Sequence, residues 1–130
     1  EKFRKEVARM IKKDMEAKKA WDEVKRFYNN TEKVRKDLHK LGDYIAFELQ
    51  MTPNQKEVCL NHLDNFIDKM YYAIEDAVEA ESLEGLDEIH KQYERELRDS
   101  IIDELNQDQL DKAREMDPHG FGKRIDERGF

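Results

Sequence analysis

The chain has little of anything that would build something other than helices. Its 130 residues include only two prolines and five glycines, whereas sheets and irregular coils need many such turning points. The single cysteine, Cys59, excludes an internal disulfide. No run of about 20 apolar residues occurs, which excludes a membrane-spanning helix from the expected elements. Gly120-Phe121-Gly122 is too short to act as a phosphate-cradling loop. Ser82 and Ser100 lack a paired His/Asp context for nucleophilic activation. Glu75-Asp76 and Asp103-Glu104 are adjacent in sequence, so on a helix they face different ways and make poor acid–base pairs. The histidines are His39, His62, His90 and His119. A di-metal site in a helical bundle needs Glu-x-x-His on two helices, and only Asp87-x-x-His90 comes near that pattern. The chain is therefore expected to have no catalytic residues, no metal ligands and no cofactor, and not to be an enzyme.

What the chain has is charge arranged around apolar stripes. Charged residues make up 42% and hydrophobic residues 38%, a balance that without periodicity would spell disorder. The periodicity is there. Thr52-Pro53-Asn54-Gln55 reads as a helix start, with Thr52 as cap, Pro53 in the first position and Gln55 as the capping-box partner. Behind it Cys59, Leu63, Phe66, Ile67, Met70, Ala73, Ile74, Ala77 and Val78 recur at intervals mostly of three and four, the stripe of one long amphipathic helix.

Three further helices are expected. A short first one, from about Lys2 to Ala17, carries Phe3, Val7, Met10 and Ile11; Lys18-Lys19-Ala20 after it contains no breaker. The second, from about Trp21 to Gln50, carries Trp21, Val24, Phe27, Tyr28, Val34, Leu38, Leu41, Ile45 and Leu49, with a kink or short break expected at Asn29-Asn30-Thr31. Gly42 within it suits the close approach of a neighbour. The fourth follows Ser82 as cap and carries Leu83, Leu86, Ile89, Tyr93, Leu97, Ile101 and Leu105. Asn106 to Gln109 is a second capping box, opening a small helix through Met116.

With short joints at Met51-Thr52 and Ala80-Ser82, the expected fold is an all-α, up-down four-helix bundle over residues 1–106. Trp21, Leu38, Phe66, Met70, Ile74, Tyr93 and Leu97 form its expected interior. Residues 107–130 are expected as a short helix and an extended tail. Heptad-like spacing leaves an intermolecular coiled coil as the alternative.

The net charge of −7 is unevenly spread. Residues 1–41 hold 14 Lys/Arg against 8 Asp/Glu, and residues 42–130 hold 10 against 23. Nucleic acid is an improbable partner for so acidic a chain without a binding motif. Two readings of the basic first part remain. It can be an internal counterweight to the acidic part, or it can dock on an acidic partner through Lys25, Lys33, Lys36 and Lys40, which lie outside the apolar stripe. In the tail, Phe121, Lys123, Arg124, Arg128 and Phe130 are read as a second partner-binding set, aromatic anchors among cations.

Several short stretches resemble the PsbQ family of extrinsic lumenal photosystem II subunits. Lys18-Lys19-Ala20-Trp21 with Val24 is similar to that family's Lys-Lys-Ala-Trp-x-x-Val, Arg35-x-Asp37-Leu38 to its Arg-x-Asp-Leu, and Ile67-Asp68-x-Met70-x-Tyr72-Ala73 to its Ile-Asp-x-Leu-x-Tyr-Ala. Pro53 with Lys56 resembles the Lys/Pro-rich start of its third helix. The chain departs from the family in being acidic and in everything beyond Asn106. The resemblance implies a four-helix bundle and a non-catalytic role in the thylakoid lumen of a chloroplast. Such a subunit is peripheral on the membrane, docks on photosystem II and stabilises the manganese–calcium–chloride centre without supplying ligands. The alternatives are a PsbQ-like subunit of another thylakoid complex, such as the NADH dehydrogenase-like one, and a helical adaptor outside photosynthesis.

Overall fold

The helix that begins at Pro53 starts where its residues dictate. In the computed structural model, which describes residues 1–130, the Thr52 hydroxyl accepts from the Gln55 amide at 3.1 Å and the Gln55 side-chain oxygen accepts from the Thr52 amide at 2.9 Å. Helix α3 runs from there over Pro53–Glu79. The chain is all-helical. It consists of α1 (Lys2–Asn29), α2 (Thr31–Glu48), α3, α4 (Leu86–Ile102), α5 (Gln107–Met116), a π-helical turn (Pro118–Gly122) and α6 (Lys123–Glu127).

The boundary expected near Lys18–Ala20 does not form, and the break expected at Asn29-Asn30-Thr31 does. No turn forms at Lys18–Ala20, and α1 continues unbroken to Asn29. The break falls at Asn30, whose backbone leaves the helical region at φ −128°, while the Thr31 hydroxyl donates to the Phe27 carbonyl at 2.9 Å. Asn and Thr satisfy backbone groups with their own side chains, which is why the helix ends there and not at the lysines. Helices α1 and α2 thus form one bent rod antiparallel to α3. Tyr28 stacks on Tyr71 with ring centroids 5.0 Å apart, Arg35 reaches Asp64 at 2.9 Å and Asp68 at 2.6 Å, and Asp43 meets Lys56 at 3.0 Å. At Gly42 the two helices close up. A Cβ there would stand 2.9 Å from a Leu60 methyl, so the expected close approach is real.

Helix α4 runs along another side of α3, tied by Lys69 to Glu96 at 3.3 Å. It starts later than expected. The Ser82 hydroxyl accepts from the Glu84 amide inside a loop, and the helix opens after Gly85 at φ +78°, a left-handed conformation that favours glycine. The expected four walls around one interior therefore reduce to α2, α3 and α4, because the N-terminal part of α1 runs past the end of α3 and residues 1–19 are all exposed. Of the expected interior, Met70 and Ile74 are buried, whereas Trp21, Leu38, Phe66, Tyr93 and Leu97 are only half-buried.

The best-packed cluster sits at the other end of the rod, where Leu49, Ile102, Leu110, Ala113 and Ile125 meet. The second capping box forms as read, with Asn106 and Gln109 exchanging hydrogen bonds of 2.9 Å. Gln109 is buried, and its amide pairs face to face with that of Gln55 at 2.9 and 3.0 Å while also donating to the Leu49 carbonyl. The two capping boxes are thereby locked together.

The expected extended tail is folded. Asp117 accepts from the amides of Gly120 and Phe121, so the glycines sit in a capped π-helical turn. Helix α6 then places Ile125 in the core with no exposed surface. Arg124 grips Asp99 with two hydrogen bonds of 2.6 and 2.9 Å, and Arg128 reaches Asp103 at 2.7 Å.

Two measurements check this packing. Ile67 is fully buried, so Ile67→Ala is expected to cost about 3 kcal/mol, against about 1 kcal/mol for half-buried Phe66→Ala, in urea unfolding. Arg124, with burial opposing it, holds the Asp99 carboxyl below the ordinary carboxylate range. The stability this adds is complete above about pH 4 and drains away as pH falls through the lowered native value. Asp99→Asn should flatten the acid limb of a stability-versus-pH profile and leave a lower Tm at pH 7.

Candidate functional site

Three side-by-side helices leave the slot of a fourth open. Between α2 and α4, over the floor of α3, lies an apolar groove of about 540 Å³. Leu38, Leu41 and Ile45 form one wall, Leu97 and Ile101 the other, and Leu60, Leu63 and Phe66 the floor. Phe121 from the π-helical turn closes its base. The groove is not purely apolar, since Lys56, His90, Glu94 and Arg98 also line it. Glu94 bridges His90 at 2.8 Å and Arg98 at 3.3 Å. Cys59 borders the same space, and burial, helped by Glu104, pushes its thiol up to about 11.

The second uncovered surface is the free arm of α1. Phe3, Met10 and Met15 are 76%, 64% and 67% exposed, and Val7 and Ile11 lie beside them. This stripe continues the face with which Trp21, Val24 and Tyr28 approach α3, beyond the point where α3 has ended. Both surfaces are made of residues that the periodicity assigns to a core; they are exposed because α1 does not turn back.

The third surface is the lysine face. Lys33, Lys36 and Lys40 are exposed and have no carboxylate within ion-pairing distance. At about 100° per residue they project to the side of α2 roughly opposite the groove-facing Leu38 and Ile45. Lys25 is also exposed, but on α1, where its ammonium lies 5.8 Å from the Trp21 ring. Arg35, in the same basic stretch, behaves differently. Its guanidinium is taken by Glu32, Asp64 and Asp68, and His39 adds a 2.6 Å contact to Asp64. Burial pushes the Asp64 carboxyl up, but His39 and Arg35 outweigh it and hold the group below the ordinary range.

The tail residues do not act together. Phe121 is packed inward, and Arg124 and Arg128 are occupied by Asp99 and Asp103. Lys123 is exposed with Glu127 at 4.0 Å, and Phe130 is exposed with the Arg128 guanidinium over its ring at 5.2 Å. Lys123 and Phe130 lie on the outside of a folded cap. No three His, Cys, Asp or Glu side chains converge as metal ligands would, and no helix is long and apolar enough to cross a membrane.

No family model, no curated protein and no solved structure matches the chain.

Sequence reasoning missed the groove and the arm for a single reason, the absent turn at Lys18–Ala20. The signal was present, since three residues without a breaker are the composition of a continuing helix. The interlocked amides had a signal too, a Gln in the third position of both capping boxes.

The state of Cys59 gives a direct probe of the groove. With the thiol near 11, against an ordinary value of 9.0, its reaction with a disulfide reagent at pH 8 is expected to be roughly a hundredfold slower than that of a free thiol. The rate should climb with pH up to about 11, and a rate equal to that of free cysteine would place the thiol outside the groove.

Proposed function

We propose that the chain is a non-catalytic docking subunit that binds an acidic partner surface through the lysine face of α2. The observation that carries this is the contrast within one basic stretch. Arg35 is neutralised by α3 carboxylates, so it is the internal counterweight. Lys33, Lys36 and Lys40 are exposed and form no ion pair within the chain, so their charge is left for another molecule.

In its finer form the partner is the lumenal side of photosystem II, with the protein peripheral in the thylakoid lumen of a chloroplast and stabilising the manganese–calcium–chloride centre from outside. What supports this form is the resemblance of the Lys18–Val24, Arg35–Leu38 and Ile67–Ala73 stretches to the PsbQ family. In the fold, Arg35 and Asp68 from two of these stretches pair with each other and Ile67 is buried. These residues therefore hold α2 on α3 and speak for shared architecture more than for shared docking.

Charge-steered docking fades as the screening length falls from about 10 Å at 0.1 M salt to about 3 Å at 1 M. High salt is thus expected to release the protein from its complex. Lys33→Glu/Lys36→Glu/Lys40→Glu should weaken rebinding to salt-washed thylakoid membranes by tenfold or more while leaving the melting curve in place. Rebinding equal to the parent's would sink the lysine-face reading. Binding lost by the triple variant but directed at membranes other than thylakoids would keep the face and remove photosystem II.

A further inference from the structure

We infer that the α1 arm of one copy fills the α2–α3–α4 groove of a second copy, and that the exchange is reciprocal. The two surfaces are both apolar, the arm is basic where the rest of the chain is acidic, and both are left uncovered on the same chain. The groove is the slot of a missing helix, and the arm is an amphipathic helix without a neighbour. An exposed helix face bearing Phe3, Val7, Met10, Ile11 and Met15 and an apolar slot of about 540 Å³ are each the kind of surface that marks an interaction site.

The arm does not fill its own groove. Reaching it would require α1 to reverse direction, and the backbone is helical without a break from Lys2 to Asn29. A second copy removes that obstacle. The arm is centred near Arg9 and the groove wall near Leu41, about thirty residues apart along the α1–α2 rod, or roughly 50 Å at 1.5 Å per residue. Two rods laid antiparallel bring each arm over the other's groove at once, which is the closed two-fold arrangement in which every contact occurs twice.

Charge supports the same occupant. Residues 1–19 hold eight Lys/Arg and four Asp/Glu, while the rest of the chain holds sixteen and twenty-seven. A basic arm is therefore drawn to the acidic body of another copy. Asp37 and Glu48 of α2, close in sequence to the groove-lining Leu38 and Ile45, have no ion-pair partner in their own chain, so they are open to the cations of the arm.

The test uses the full chain, a variant lacking residues 1–19 and the groove variant Leu38→Lys/Leu41→Lys. The arm makes no part of the core, because all nineteen residues are exposed. Leu41 is itself 52% exposed, and circular dichroism is expected to show each variant as helical as its residues allow. Sedimentation velocity across the micromolar range is expected to show the full chain at twice its 15.6 kDa mass and each variant alone as a monomer. Mixing the two variants should restore a dimer, because one still supplies an arm and the other a groove. A full chain that stays monomeric, a dimer that survives loss of the arm, or a mixture that stays monomeric would each overturn the inference. A monomeric full chain whose arm binds phosphatidylglycerol vesicles would overturn it too and assign the arm to an anionic lipid surface. The lysine face plays no part in this test, so its failure and that of the docking reading are separately visible.

Discussion

A helix does not stop without a chemical reason, and that constraint shapes this molecule more than any contact in it. Each residue that extends a helix gains a backbone hydrogen bond for the dihedrals it fixes. Ending it requires a residue that offers the backbone another partner or cannot continue. Between Lys2 and Phe27 there is no Gly, Pro, Ser, Thr or Asn; Asn29, Asn30 and Thr31 are the first. Helix α1 therefore runs its full 28 residues, passes the end of α3 and fails to become a wall. The arm, the groove and the half-exposure of Leu38, Phe66 and Leu97 all follow from that one missing turn.

With a wall absent, apolar burial alone is thin. Only 11 of 130 residues are buried, so the arrangement of helices depends on polar ties more than in a closed bundle. Most of the ion pairs lie at the surface, where each contributes little. The ones that matter join different elements and are partly shielded. Arg35 holds α2 to two carboxylates of α3, and Arg124 holds α6 to α4 through Asp99. The Gln55–Gln109 amide pair is uncharged and its members have all their hydrogen-bonding groups engaged. A buried amide left without such partners would be costly, so the pair fixes how α3 and α5 meet and discriminates against other packings.

The sequence was legible where local chemistry decides. Thr52–Gln55 and Asn106–Gln109 name their helix starts because a capping box is complete within four residues. Gly42 names a close approach because only a missing Cβ permits it. The start of α4 was misread because Ser82 and Gly85 both offer a plausible beginning, and the left-handed turn at Gly85 is decided by how the loop returns to α3. The tail was misread for the opposite reason. Pro118, Gly120 and Gly122 argue locally against a helix, yet Asp117 caps the turn they form, and Ile125 adds burial that only the assembled core can supply. The lysine face was readable from periodicity; that Arg35 is spoken for and its neighbours are not needed the positions of Asp64 and Asp68 on another helix.

The lysine face and the groove lie on different sides of α2, so occupying one leaves the other open. Filling the groove with a second copy's arm covers apolar surface that otherwise faces water at about 25 cal/mol per Å², and it leaves Lys33, Lys36 and Lys40 of both copies free. In the proposed pair those two faces point away from the shared interface, to opposite sides, because each lies on α2 roughly opposite its groove. Each copy would then meet an acidic surface through its own three lysines, without the gain of bivalency, which requires simultaneous engagement. The proposed assembly through the apolar surfaces and the proposed attachment through the charged one thus share no residue, and neither depends on the other.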